Sequence, residues 1–410
     1  MDDFLQSRRE RTAATWSLTS DECVLVGAGA PVPIPGGADQ CFPFLAHTEY
    51  VWLAGHETPE AVLAFDPRSG WTDFVPEVTQ DERVWEGRTE SRGTPRSQLA
   101  AWLAARRGRA VVTLGCPVPE VPYSDPARTE TLRQGLLHAR RPKDAHELSL
   151  MERAVRATAE GYRALGAALR PGASERELQV GYGSIVGIGS NAGVLHFAPG
   201  ARRAAAGDVV LVDAGAEVGR YTADVTRTYR LPGGEHEGFF RDLHALVLHT
   251  EREAIARCRP GAEWRDLHLG AARTIAEGLV RLGLLQGAPD GLVERDVHAL
   301  FFPHGLGHMV GLGVRDASGY LPGRVRSTRP GLAFLRADLP LDRGYLMTVE
   351  PGVYFIPALL NDPALRERHR DAVRWDRVEP LLGFGGIRIE DDVLVTDGEP
   401  RVLTADIPQA

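Results

Sequence analysis

Carboxylates and imidazoles recur in four short stretches of this chain in a pattern that could hold paired metal ions around a shared water. Asp213 and Asp224 flank a turn in VVLVDAGAEVGRYTADVTRTY, His304 and His308 lie in HGLGHMVGLG, Glu350 in TVEPGVYF and Glu390 in GFGGIRIEDDV. VVLVD and TADVTRTY read as the strands of a hairpin. A two-residue turn at Val218-Gly219 would set Asp213 directly opposite Asp224. Opposed residues share a face, with Cβ atoms about 5 Å apart. Carboxylates that close repel unless a proton or cation compensates, and two divalent ions roughly 3.5–4 Å apart would fit the gap.

In IRIEDDVLV, Ile387 and Ile389 alternate with Arg388 and Glu390, so one face of a strand would be oily and the other ionic. Glu350 follows the apolar run LMTV and precedes Pro351 and Gly352, which read as a turn at the strand end. Glycine is costly to order, so the glycine-dense HGLGHMVGLG suggests close backbone approach and not a helix. Oxygen-rich donors with imidazole and no thiolate suit Mn²⁺, Co²⁺ or Zn²⁺; the hard oxygen shell is compatible with Mn²⁺, and composition does not choose among the three.

Elements must bring these segments together, and 410 residues favour two domains. With 43% hydrophobic and 25% charged residues the chain can build substantial cores. Its net charge of -8 argues against nucleic acid or an anionic membrane as partner. Cys23, Cys41, Cys116 and Cys258 form no CxxC pair, and MDDFLQSRRERTAATW has no apolar core. A cytoplasmic protein with no membrane partner is the expectation.

The first part reads as mixed α/β. CVLVGAG, EYVWLAG, AVLAF and VVTLG suit strands, and SQLAAWLAARRG and TETLRQGLLHARR suit helices. From Leu148 to Leu169 apolar residues recur at helical spacing until Pro171-Gly172, and a helix over roughly 240–258 stops at Pro260-Gly261. RPGASERELQ from Arg170 resembles RPGAEWRDLH from Arg259, each the start of a further helix, and Ser174 with Glu177 has capping-box spacing. An internally duplicated domain would place a site between its halves.

These segments resemble the proline-specific branch of the pita-bread metallopeptidases, prolidases (Xaa-Pro dipeptidases) above all. VDAGAEVGRYTADVTRTY, HGLGH, MTVEPGVYFIPALL and GFGGIRIEDDV arrive in family order, while CFPFLAHTEYVWLAGHETPEAVLAF and VWEG match the family's amino-terminal domain less sharply. The resemblance implies an α/β (α+β) chain. Residues 1–140 would form an aminopeptidase P/creatinase-like mixed α/β domain, and residues 141–410 a pita-bread catalytic domain with pseudo-twofold internal symmetry.

By that resemblance Asp213 ligates one metal, Asp224 and Glu390 bridge, and His308 with Glu350 ligate the other. His196, in GVLHF, would hold the substrate and its oxyanion, His304 would stand beside the metal histidine, and Arg336 would clamp a dipeptide's free carboxylate. Glu350 would act as general base and then acid in cleaving the bond to proline. Where the family carries a second histidine, this chain has Arg315, which donates hydrogen bonds but relays no proton. Arg315 is expected to line the cleft and alter substrate preference or metal tuning. The rival activity is aminopeptidase P, acting on longer peptides. A noncatalytic pita-bread binding module or a creatinase-like hydrolase are further alternatives, disfavoured because all five metal residues are present. A homodimer is also implied.

Overall fold

The computed structural model describes residues 3–37, 40–85, 87–88, 93–179 and 184–409, which fall into two compact units, Met1–Arg140 and Arg141–Ala410. Glu86 of the VWEG segment lies outside the described residues. The first unit holds a five-stranded sheet in which Glu22–Gly27 pairs antiparallel with Val62–Asp66 and parallel with Ala110–Gly115. The run EYVWLAG, expected as a strand, is instead the core of helix Thr48–Ala54. A short apolar run suits either element when buried, and here the ends decide. His47 accepts a hydrogen bond from the Glu49 amide, and Gly55 closes the helix at φ 79°.

In the second unit helix Ala145–Ala168 begins in a capping box between Asp144 and Glu147. Its apolar stripe, including Met151, Val155, Tyr162 and Leu165, is buried. Most of it packs on Val210 and Val212 of strand Val209–Ala214. Tyr162 donates its hydroxyl to the Val225 carbonyl at 2.6 Å, tying the helix to the neighbouring strand Val225–Arg230. The alternate residues Val209 and Leu211 face helices Glu237–Ala256 and Trp264–Arg281 through Leu243, Val247, Ile275 and Leu279. One strand therefore serves two cores, and its odd-numbered face ends in Asp213.

The expected duplication is visible in the hydrogen bonds around the two RPGA corners. Gly172 donates to the Ala204 carbonyl at 2.7 Å, and Gly261 to the Leu341 carbonyl at 2.8 Å. Ala204 donates back to Ala173, and Leu341 back to Ala262, each at 2.8 Å. Both glycines have positive φ, 92° and 84°, which a side chain would oppose. Beyond the corner the copies diverge. Trp264–Arg281 is a long helix, whereas 175–178 make only turns, and any continuation into 180–183 lies outside the described residues. The predicted box survives there, with Glu177 accepting from the Ser174 amide and donating its own amide to Ser174 Oγ.

The second copy contributes the sheet Leu346–Val349, Asp391–Leu394 and Arg401–Val402. It joins the first copy where the Glu390 amide donates to the Thr226 carbonyl at 3.1 Å. No helix among the described residues is long and apolar enough to cross a membrane.

Behind this framework, burial pushes the pKa of His268 down to about 4. Its Nε2 donates to the Gly331 carbonyl at 2.6 Å, and its Nδ1 is buried without a partner among the described residues. A neutral imidazole is thus built into the fold, while the unfolded chain's histidine titrates near 6.5. Stability from this source is complete above pH 6.5 and is lost as pH falls toward 4, by at most about 3 kcal/mol. Urea denaturation of His268→Gln at pH 7 and pH 4.5 should show a weaker pH dependence than wild type. An identical dependence would refute this assignment.

Candidate metal centre

The hairpin that carries Asp213 and Asp224 turns one residue later than its sequence suggests. Gly219 and Arg220, at φ 58° and 72°, form the turn, and the ladder pairs Asp213 with Thr226. Asp224 is therefore the diagonal neighbour of Asp213 on the same face, not its direct partner. The shift is accompanied by a close approach at Gly215, where a Cβ would stand 1.6 Å from the Ala223 carbonyl oxygen. Carboxylate proximity survives the change, because same-face diagonal residues remain neighbours.

HGLGHMV does not form a helix. It lies along strand Leu346–Val349, with Thr348 donating its amide to the His308 carbonyl at 2.7 Å and Glu350 to that of Leu306 at 2.8 Å. Gly307 permits this approach, since a Cβ there would meet the Thr348 carbonyl oxygen at 2.1 Å. The imidazole of His308 is consequently set beside two acids, with Nε2 3.5 Å from Asp224 Oδ2 and 3.8 Å from Glu350 Oε1. Its Nδ1 donates to the Met309 carbonyl at 3.0 Å. That hydrogen bond fixes the tautomer and leaves the Nε2 lone pair for a cation.

Asp224, His308 and Glu390 offer ligand atoms within 4.8 Å of one another. Burial, followed by the charges of Asp213, Asp392 and Glu350, holds the Asp224 carboxyl well above its ordinary pKa. Glu390 is raised for the same reasons, burial first and then Asp224, Glu350 and Asp213. Glu350 is raised by burial, with His308 and Arg388 opposing. So much buried negative charge beside a ready imidazole lone pair fits hard divalent cations.

Every residue singled out from the sequence, His196, Asp213, Asp224, His304, His308, Arg315, Arg336, Glu350 and Glu390, lines one cavity of about 620 Å³. His196 is exposed at its wall. Burial and the charges of Arg315, Arg388 and Arg336 lower its pKa, so it stands neutral and able to donate one hydrogen bond. His304 is held in a different way. Its Nδ1 donates to the Gly305 carbonyl at 2.8 Å, and its Nε2 accepts from the Tyr354 hydroxyl at 2.8 Å. Burial and Arg388 push its pKa down to about 3, so it is a fixed neutral acceptor, 3.9 Å from Glu350.

Sequence reading missed the scaffold behind the acids. Buried Arg388 donates to Asp213 Oδ2 at 2.6 Å, to Thr226 Oγ1 at 3.0 Å and to the Tyr354 hydroxyl at 3.1 Å. Thr226 in turn donates to Glu390 Oε2 at 2.6 Å. One network thus connects His304, Tyr354, Arg388, Thr226 and two of the acids. The alternation in IRIED already put Arg388 on the face of Glu390, but nothing in the sequence marked Tyr354 or Thr226. Asp392 is also drawn in, accepting the Asp224 amide at 3.2 Å.

Comparison with known proteins agrees with this geometry. Residues 179–397 match the model of metallopeptidase family M24, and residues 5–101 that of the aminopeptidase P N-terminal domain. The chain belongs to metallopeptidase family M24. It is 37% identical to an Xaa-Pro dipeptidase of Stenotrophomonas maltophilia over 64% of this chain, a match spanning 62% of that relative's length. An Xaa-Pro dipeptidase of Xanthomonas oryzae pv. oryzae is 30% identical, with 95% of each chain covered. Among solved structures, Pseudomonas aeruginosa aminopeptidase PepP superposes with a TM-score of 0.77 at 27% identity, covering 99% of this chain and 96% of that one. The fold is thus the pita-bread fold with an aminopeptidase P-type amino-terminal domain.

Proposed function

We propose that this protein is a metal-dependent Xaa-Pro dipeptidase. The observation that carries the proposal is the set of buried Asp224, His308 and Glu390 with half-buried Asp213 and Glu350, all lining one cavity together with neutral His196 and cationic Arg336. Two divalent cations held by those five residues, Mn²⁺ before Co²⁺ or Zn²⁺, would acidify a water and polarise the scissile carbonyl. Glu350 takes the proton of the attacking water and delivers it to the proline nitrogen as the carbon–nitrogen bond breaks. His196 donates to the carbonyl oxygen as negative charge develops there. Arg336 pairs with the free carboxylate of the proline and sets the dipeptide's register.

The similarity to Xaa-Pro dipeptidases supports cleavage of dipeptides. A second activity, removal of the first residue from longer peptides with proline second, is favoured by the structural likeness to an aminopeptidase. Hydrolysis of Ala-Pro against Ala-Pro-Ala, after chelation and again after Mn²⁺ is restored, separates the two. The expected outcome is metal-dependent cleavage of Ala-Pro alone. Preference for Ala-Pro-Ala would assign the aminopeptidase activity and release Arg336 from its role. Inertness toward both would overturn the proposal.

A further inference from the structure

Two arginines at the cavity wall are not used up by the protein itself. Arg315 and Arg336 are exposed and line the cavity, and neither guanidinium has an ion-pair or hydrogen-bond partner among the described residues. The third lining arginine, Arg388, is saturated by Asp213, Thr226 and Tyr354. Among the lining acids, Asp213 pairs with Arg388 and Asp224 lies beside His308, while Glu350, also beside His308, acts on Arg315 and Arg336 through its charge without pairing with either. Two exposed apolar residues line the same cavity, Val314 directly before Arg315 and Phe334 two residues before Arg336, with buried Leu335 between them. The wall therefore offers two separate apolar and cationic pairs facing one space.

Like charges held in one cavity repel, and burial first, then Arg315, lowers the pKa of Arg336 against the opposing pull of Glu350. A single carboxylate relieves only part of that repulsion. With five fixed donors on each guanidinium, two carboxylates can be held in bidentate fashion. Resting on the proline dipeptidase proposal, we infer that Arg315 and Arg336 form a two-cation site selecting dianionic substrates, Xaa-Pro dipeptides whose first residue is glutamate or aspartate. Arg336 takes the proline carboxylate and Arg315 the acidic side chain of the first residue. Arg315 is then a specificity residue of this chain.

Glu-Pro and Gln-Pro have nearly the same shape and differ in one charge. For the metal-loaded full chain, kcat/KM should favour Glu-Pro over Gln-Pro by about tenfold, the size of one exposed charge-assisted hydrogen bond. Arg315→Gln should bring the ratio close to one, and Arg315→Lys should retain part of it. The wild-type preference should also shrink as salt is raised. A wild-type ratio near one, or a ratio unchanged in Arg315→Gln, would overturn the inference. So would loss of discrimination between Ala-Pro and its carboxamide in Arg315→Gln, which would place Arg315 on the proline carboxylate.

Calorimetric binding of the reduced-amide analogues of Glu-Pro and Gln-Pro needs no turnover and tests the anion site alone. An Arg315-dependent preference there, with no hydrolysis of either dipeptide, would keep the two-cation site and remove the dipeptidase proposal. Cleavage of both dipeptides without any charge preference in rate or binding would do the opposite.

Discussion

Glu350→Gln is expected to lower kcat for Ala-Pro by roughly 10³-fold, the middle of the range for loss of a positioned general base. Glutamine keeps the shape of the side chain and removes its charge and proton affinity. Glu350 is suited to the role because two influences oppose each other. Burial raises its pKa, while His308 and Arg388 restrain the rise. Its oxygens stand 3.8 Å from His308 and 3.9 Å from His304, inside the cavity. His304, held neutral by its two hydrogen bonds, does not compete for the proton.

The same substitution should act in opposite directions on activity and on metal-free stability. Without cations, Asp213, Asp224, Glu350 and Glu390 crowd one another, and neutralising one of them relieves repulsion. The metal-free variant should therefore unfold at no lower urea concentration than metal-free wild type. Metal content measured by mass spectrometry then separates the two duties of Glu350. Bound metal retained with kcat lost assigns the base, and metal lost assigns the ligand. Activity within tenfold of wild type would sink both roles.

Arg388→Gln should cost about 3–5 kcal/mol of metal-free stability, the penalty for leaving a buried partner charge uncompensated. Burial opposes the charge on Arg388, but Tyr354 and the carboxylates of Asp213, Glu390 and Glu350 hold its pKa well above the ordinary value. Three hydrogen bonds leave its guanidinium in three directions, to Asp213, Thr226 and Tyr354. A lysine is a point charge and cannot reproduce that fork, so Arg388→Lys should recover little of that stability. Urea unfolding read with and without Mn²⁺ checks the assignment. Added cations should recover part of the deficit by compensating the same carboxylates. A loss below about 1 kcal/mol in the metal-free protein would show that the acids do not need Arg388.

The chemical alphabet of the site was legible because each segment carries its own local signal. Glycine density in HGLGHMVGLG reported close backbone approach, and Gly307 meets Thr348 as that density implies. Alternation in IRIED reported a two-faced strand, and its ionic face carries Arg388 and Glu390 into the network behind the site. The paired RPGA corners reported a repeat because a positive-φ glycine and its hydrogen bonds are local requirements, met at Gly172 and Gly261 alike.

Other features depend on partners far along the chain. EYVWLAG is equally apolar as strand or helix, and the contacts made by its end residues chose helix. The hairpin register could not be counted from Asp213 and Asp224 alone, since the close packing of Gly215 against Ala223 and the positive φ of Arg220 are properties of the folded backbone. Tyr354 and Thr226 look like ordinary strand residues until Arg388, distant in sequence, is brought between them. The sequence by itself determined which acids and imidazoles are available and the local shapes that present them. Only the tertiary structure decided which proton each imidazole keeps, which cavity arginine is consumed by the acids and which two stand unpaired among the described residues, because those outcomes depend on burial and long-range pairing.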